Sequence, residues 1–122
     1  MNMTLKTRQA GGVTIVDISG RIVLGGESAA VRDTICELLD EGRKQLLLNL
    51  AEVDSIDSVG LGSLVGAVTS VRRQGGDVKL FNLTNKVTDI MQMTKLYTVF
   101  EVVKDEAAGV KSFDQTTAAA RA

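Results

Sequence analysis

Residues 45–66 read QLLLNLAEVDSIDSVGLGSLVG, and the changes of chemistry along them decide how the chain folds. Gln45-Leu46-Leu47-Leu48-Asn49-Leu50 is an apolar run bounded by charges, too short for a stable helix and well suited to a central strand. Acids and serines follow, and then a glycine-punctuated apolar segment in which Leu61, Leu64, Val65, Val68 and Val71 recur at helical spacing. A helix is therefore predicted from Val59 to about Arg73, ended by Gln74-Gly75-Gly76-Asp77. Between strand and helix stands Ser58, predicted as the N-cap, with its hydroxyl exposed beside backbone N–H groups that have no intrahelical acceptor.

The same alternation extends in both directions. Val78 to Leu83 reads as the next strand, a helix follows from Thr84 or Asn85 with Val87, Ile90 and Met91 as its buried side, and Lys95-Leu96-Tyr97 breaks it. A short strand at Val99 to Val103 and a last helix from Asp105 to about Phe113 complete that half. Upstream, Val31, Ile35, Leu38 and Leu39 predict a helix from Ser28, as N-cap, to Glu41, with Gly42 ending it. Gly20 to Gly26 reads as a small extended piece and loop. Met3–Gln9 and Val13–Ser19 flank Ala10-Gly11-Gly12 and predict a β-hairpin whose partial alternation suits a sheet with one better-buried face. Strand, helix, strand, helix, strand through the middle implies an α/β fold with right-handed crossovers and parallel pairing. One domain is expected over residues 1–113, with 114–122 as a flexible C-terminal tail.

Composition narrows the function. The chain has 122 residues, 44% hydrophobic and 24% charged, enough for one core without metal or disulfide support. A net charge of −1 supplies no field to draw nucleic acid or an anionic membrane, and no apolar run is long enough to span a bilayer, so neither is an expected partner. Cytoplasmic residence is the expectation. Histidine is absent and Cys36 is the single cysteine, which removes Ser-His-Asp and Cys-His arrangements and Cys-rich zinc sites. Cys36 beside the apolar stripe reads as a small packing residue. Glu52 and Asp54 read as solvated or capping acids in a loop rather than as an acid–base or magnesium site. The expectation is a protein without enzymatic activity, cofactor or metal.

Gly60, Gly62 and Gly66 have a G-x-G-x-x-x-G spacing that differs from the dinucleotide fingerprint. Ser58, Gly62, Gly66 and Ser70 instead recur every four residues, a stripe without bulk that either packs on the sheet or faces a partner. A receiver-like phospho-aspartate domain using Asp57 is a minor alternative. Its second acid after the first strand is missing, since Asp17 stands alone, and the chain contains no proline for the late Lys-Pro step. A phosphate on Ser58 would be tolerated by the helix dipole, so its effect is expected on association rather than on folding.

Asp57-Ser58-Val59-Gly60-Leu61-Gly62, after the strand Leu46–Leu50 and before an apolar helix, resembles the signature of STAS-domain anti-sigma factor antagonists. The resemblance covers the order of elements over nearly the whole chain. It implies a single STAS domain with a mixed, mostly parallel sheet of about 4–6 strands and about four helices mainly on one face. It further implies that the unphosphorylated protein binds an anti-sigma factor with serine kinase activity and releases a sigma factor. Phosphorylation of Ser58 would end that complex and a phosphatase would restore it. Asp57, Ser58, Val59, Gly60, Gly62 and Gly66 are then the expected partner-binding residues. The alternative within the same fold is a constitutive STAS protein- or ligand-binding module in which Ser58 only caps the helix. Two positions depart from the family pattern: Val59 stands where a second Ser or Thr is usual, and Val23 stands where an acid commonly follows Gly-x-Ile, with Glu27 arriving later.

Overall fold

A computed structural model describes residues 3–23 and 26–121, with only the backbone described for residues 26–28 and 114–121. Strands β1 (Thr4–Ala10) and β2 (Val13–Ile22) form the hairpin, joined through Gly11 and Gly12 at φ 56° and 85°. Both values lie where a side chain is disfavoured and where a two-residue hairpin turn needs its central residues. Helix α1 (Gly26–Asp40), β3 (Gln45–Ile56), α2 (Ser58–Arg73), β4 (Asp77–Phe81), α3 (Asn85–Thr94), a 3₁₀ turn (Leu96–Thr98), β5 (Glu101–Val102) and α4 (Glu106–Arg121) follow.

The five strands lie in the order β1-β2-β3-β4-β5, with β1 antiparallel to β2 and the other pairs parallel. Each right-handed crossover in such a sheet advances one strand in the same direction, which keeps α1, α2 and α3 on one face. Their apolar sides meet Val16, Ile18, Leu46, Leu48, Leu50, Val78 and Leu80 in the main core. Helix α4 covers the opposite face, where Phe113 packs with Val13, Ile15, Leu47 and Phe81. The mixed sheet with helices mainly on one face is thus as expected. A receiver domain needs the order 2-1-3-4-5, and its ligand crevice needs a reversal of strand order that this sheet lacks. Neither the phospho-aspartate alternative nor a dinucleotide crevice fits.

Several boundaries differ from the sequence reading. Strand β3 continues six residues beyond Leu50 because Ser19 to Ile22 of β2 pair with Glu52 to Ile56 across two register shifts, so Glu52 and Asp54 are exposed strand residues rather than loop acids. Strand β2 is buried on both faces over Val13–Val16 rather than on one: Val13 and Ile15 pack under α4 with Phe113, and Val16 faces the main core. Helix α1 starts at Gly26, ahead of Ser28, and ends at a turn in which the Gly42 and Arg43 N–H groups donate to the Leu39 and Leu38 carbonyls, both at 2.9 Å. Leu24 and Gly25 of the expected loop lie outside the described residues. Cys36 is exposed and is not a packing residue. Helical backbone in α4 continues through 114–121, the segment expected as a tail, whose side chains are outside those described.

Charged side chains fasten α4. Lys79 is 2% exposed; its Nζ donates to Ser112 Oγ at 2.8 Å, pairs with Glu101 Oε2 at 3.2 Å and lies 4.6 Å from the Phe113 ring centroid. Arg8 bridges β2 and α4, donating from Nε to Asp17 Oδ2 at 2.7 Å and from Nη2 to Glu106 Oε1 at 2.6 Å. Those hydrogen bonds hold both carboxyls below their ordinary range, chiefly through the Arg8 contact.

At the other end of the molecule, Gly60 of α2 sits on the end of β2. A Cβ at Gly60 would lie 2.0 Å from the Ile22 carbonyl oxygen and 2.8 Å from its carbon, so only glycine fits there without displacing the backbone.

Two outcomes follow from these contacts. Gly60→Ala lowers stability by about 1–3 kcal/mol in urea unfolding, because α2 must lift from β2; unchanged stability would contradict the packing. A depressed carboxylate pKa adds stability above the unfolded value near 4 and loses it as pH falls through the folded value. Arg8→Gln therefore costs less than about 1 kcal/mol at pH 7, given the solvent exposure of all three groups, and the difference from wild type shrinks as pH is taken from about 5 to about 2.

Candidate functional site

Asp57 is the only residue between β3 and α2, and it sets the geometry of the site. Its backbone is extended at φ −104° and ψ 179°, its N–H donates to the Ile22 carbonyl at 3.3 Å, and its Oδ1 accepts from the Gly60 N–H at 2.7 Å. Asp57, not Ser58, is the N-cap. The sequence alone favours Ser58 because serine and aspartate serve equally well as caps and residues 51–56 carry no local mark of the strand that brings Asp57 to the cap position. Ser58 becomes the first helical residue, exposed, with the N–H groups of Ser58 and Val59 among those that have no intrahelical acceptor.

Helix geometry then sorts the predicted site residues. At 3.6 residues per turn, Gly60, Leu61, Leu64, Ala67, Val68 and Val71 face inward, and Ser58, Gly62, Gly66 and Ser70 face solvent in one row. Apart from its chain neighbours and the helix's own nearby backbone, no atom lies within 4 Å of a Cβ built on Gly62 or Gly66, so the row is open to an approaching surface. The two readings of this stripe are thereby separated: it does not pack on the sheet. Gly60 leaves the partner-facing group, because it is buried and its want of a side chain serves the Ile22 contact. Val59 joins the exposed face at 46% relative exposure, one of few large apolar side chains at the surface.

Residues 58–71 carry no charge at all in a chain where 24% of residues are charged. Arg72, the first basic residue of α2, is engaged elsewhere, with Nε donating to Asp77 Oδ1 at 3.0 Å and Nη1 to the Val99 carbonyl at 2.9 Å. An exposed helix face that is uncharged, low in relief and bordered by one apolar side chain has the composition of an interface centre rather than of an ordinary solvated surface.

The structure also brings the second departing segment to this place. Ile22 pairs with Ile56, and its carbonyl meets Asp57 and Gly60, so Val23 lies beside the start of α2. The Glu27 side chain lies outside the described residues. Val59, expected at the partner-facing surface, is indeed exposed. Sequence reasoning missed the Arg8–Asp17–Glu106 cluster, which joins residues up to 98 positions apart and so leaves no local pattern. Among the described residues, no helix is long and apolar enough to cross a membrane, and no group of three or more acids, cysteines or histidines is placed to hold a metal ion.

Comparison with known proteins places this geometry. The chain is 29% identical over 111 residues to the anti-sigma-B factor antagonist of Bacillus subtilis, covering 91% of this chain and 100% of that protein. Its fold is similar to that of an anti-sigma factor antagonist from Mycobacterium paratuberculosis, with a TM-score of 0.76, 19% identity and coverage of 91% and 93% of the two chains. It is also similar to the Bacillus cell fate determinant SpoIIAA in its phosphorylated form, with a TM-score of 0.65, 14% identity and coverage of 93% and 99%. The model of the STAS domain family matches residues 4–109, most of the chain and every strand of its sheet, and the chain belongs to that family.

Proposed function

We propose that this protein is an anti-sigma factor antagonist switched by phosphorylation of Ser58. The unphosphorylated form binds an anti-sigma factor that is also a serine kinase, and thereby frees a sigma factor. The kinase transfers a phosphoryl group from ATP to Ser58 Oγ, the complex dissociates, and a separate phosphatase restores the binding form. One observation carries this reading: exposed Ser58 opens a helix face, Val59, Gly62, Gly66 and Ser70, that is uncharged and almost without relief. The relatives named anti-sigma factor antagonists support it.

The chemistry asked of this chain is small. Ser58 supplies a hydroxyl, while the phosphoryl donor and the base that takes the hydroxyl proton belong to the kinase. The Asp57 carboxylate already serves the Gly60 N–H as cap, so it holds the helix start in place rather than activating the serine. That also weakens the constitutive reading, whose account of Ser58 was the cap.

Energetics favour a switch of association over one of folding. A phosphoserine carries about −1.5 to −2 charges, and at the first turn the helix dipole returns about 0.3–1 kcal/mol, part of it offset by repulsion from Asp57. The fold survives that balance. In a closed interface the same dianion would have no basic residue of α2 before Arg72 to receive it. Burying it there costs several kcal/mol, and each 1.4 kcal/mol is about a tenfold loss of affinity.

The test is incubation with the cognate kinase and ATP, location of phosphate by mass spectrometry, and binding measurements on variants. Phosphate is expected on Ser58, with near wild-type kinase binding by Ser58→Ala and at least about tenfold weaker binding by Ser58→Glu, whose stability changes by less than about 1 kcal/mol. Equal binding by both variants without phosphate on Ser58 would refute the switch. Gly66→Leu raises the relief of the open row; it is expected to weaken kinase binding at least about tenfold while leaving stability equal or about 0.5–1 kcal/mol higher, as removal of an exposed helical glycine does.

A further inference from the structure

A concave surface lined by no residue of α2 lies elsewhere on the molecule. Helix α3, the 3₁₀ turn and β5 enclose a groove of about 560 Å³, within the range of roughly 300–1,000 Å³ typical of small-molecule sites. Its walls are apolar: Leu83 beyond β4, Met91 of α3, Val102 of β5 and the ring of Tyr97. Tyr97 and Val102 remain 53% and 49% exposed, so two of the few large apolar side chains left at the surface gather at this one opening.

The polar groups in the lining are few, and only one of them is charged. Thr88 and Gln92 contribute a hydroxyl and an amide, and Lys95 is the one charged residue; no carboxylate lines the groove. Among the described residues the Lys95 ammonium makes no ion pair. Lys95 also holds a backbone conformation that favours glycine or asparagine, at φ 62° and ψ 21°, where it ends α3 and opens the 3₁₀ turn. A lysine placed there at a conformational cost, in a groove otherwise without charge, points to an anionic occupant.

The charge of that occupant is limited. The groove lies at the C-terminal end of α3, where the helix dipole disfavours an anion in proportion to its charge, and no second cation stands in the lining to offset more than one negative charge. Nucleotides and phosphorylated ligands are thereby disfavoured. We propose that the groove binds a small monocarboxylate with an apolar body. The body lies on Leu83, Met91, Tyr97 and Val102, the carboxylate pairs with Lys95, and Thr88 and Gln92 supply hydrogen bonds. This site is independent of the Ser58 switch and stands whether or not Ser58 is phosphorylated.

Amide chemical shifts of the full chain, titrated with octanoate and with the neutral isostere octanamide, test it. Octanoate is expected to shift residues 83–102 saturably with a Kd of about 1 mM or tighter, and octanamide to bind at least about tenfold more weakly. Lys95→Asn removes the charge and tolerates the backbone conformation, so it loses the same tenfold preference with no fall in melting temperature. Val102→Glu, a substitution at a half-exposed edge position, abolishes octanoate binding by placing a carboxylate in the groove. Equal affinity for acid and amide, wild-type affinity in Lys95→Asn, saturable shifts confined to other residues, or no saturable shift up to about 10 mM octanoate would each overturn the assignment.

Discussion

The contact between Gly60 and the Ile22 carbonyl is the constraint on which the placement of α2 and of the candidate site depends. Because a Cβ there would stand 2.0 Å from that oxygen, α2 begins directly on the end of β2. The Asp57 N–H donates to the same carbonyl, and the Asp57 carboxylate accepts from the Gly60 N–H. Three backbone segments are thus tied at one point, and the rotation of α2 about its axis is settled. With Gly60 inward, the 100° step between helical residues sends Ser58 and Gly62 outward. The two kinds of glycine in this helix do opposite things: Gly60 lets the protein's own backbone in, and Gly62 and Gly66 leave room outside.

The sheet supplies the platform. Sequential strand order keeps α1, α2 and α3 in one layer, so the exposed row on α2 is flanked by helices rather than opened onto a crevice. That architecture suits recognition by another protein and gives no cradle for a nucleotide. On the far face, α4 is held by a buried lysine and by an arginine between two carboxylates, and the uncharged stretch of α2 lies on the opposite face of the sheet. Charge thus fastens α4 to the sheet and is absent from the open row on α2, where a partner proposed to bind would otherwise have to strip it of water.

Much of this was legible in sequence because it rests on short-range rules. Periodicity and short apolar runs located the five described strands and the four α-helices, glycine punctuation located the hairpin and the end of α1, and Thr84 is a readable cap, its hydroxyl accepting from the Val87 N–H at 3.4 Å. The misreadings share one cause. Residues 51–56 look like a loop because they mix acids, serine and apolar residues, yet pairing with β2 across two register shifts makes them strand. That pairing is a partner's property and leaves no local mark. Moving the strand end moved the cap from Ser58 to Asp57, and it turned Gly60 from a surface residue into a buried one. Cys36 failed similarly: its place beside the stripe suggested packing, and the neighbouring elements leave it exposed.

By itself the sequence determined the class of fold, the order of its elements, the serine at a helix start and the absence of charge along the helix that follows, since these depend on residue type and on spacing within a few turns. Tertiary structure decided which side of that helix faces outward, which residue caps it, how α4 is fastened and that Lys95, Tyr97 and Val102 share a groove. Each of those outcomes requires two segments distant in the chain to meet, and the energy of that meeting is set by shape and hydrogen-bond geometry that no single segment contains.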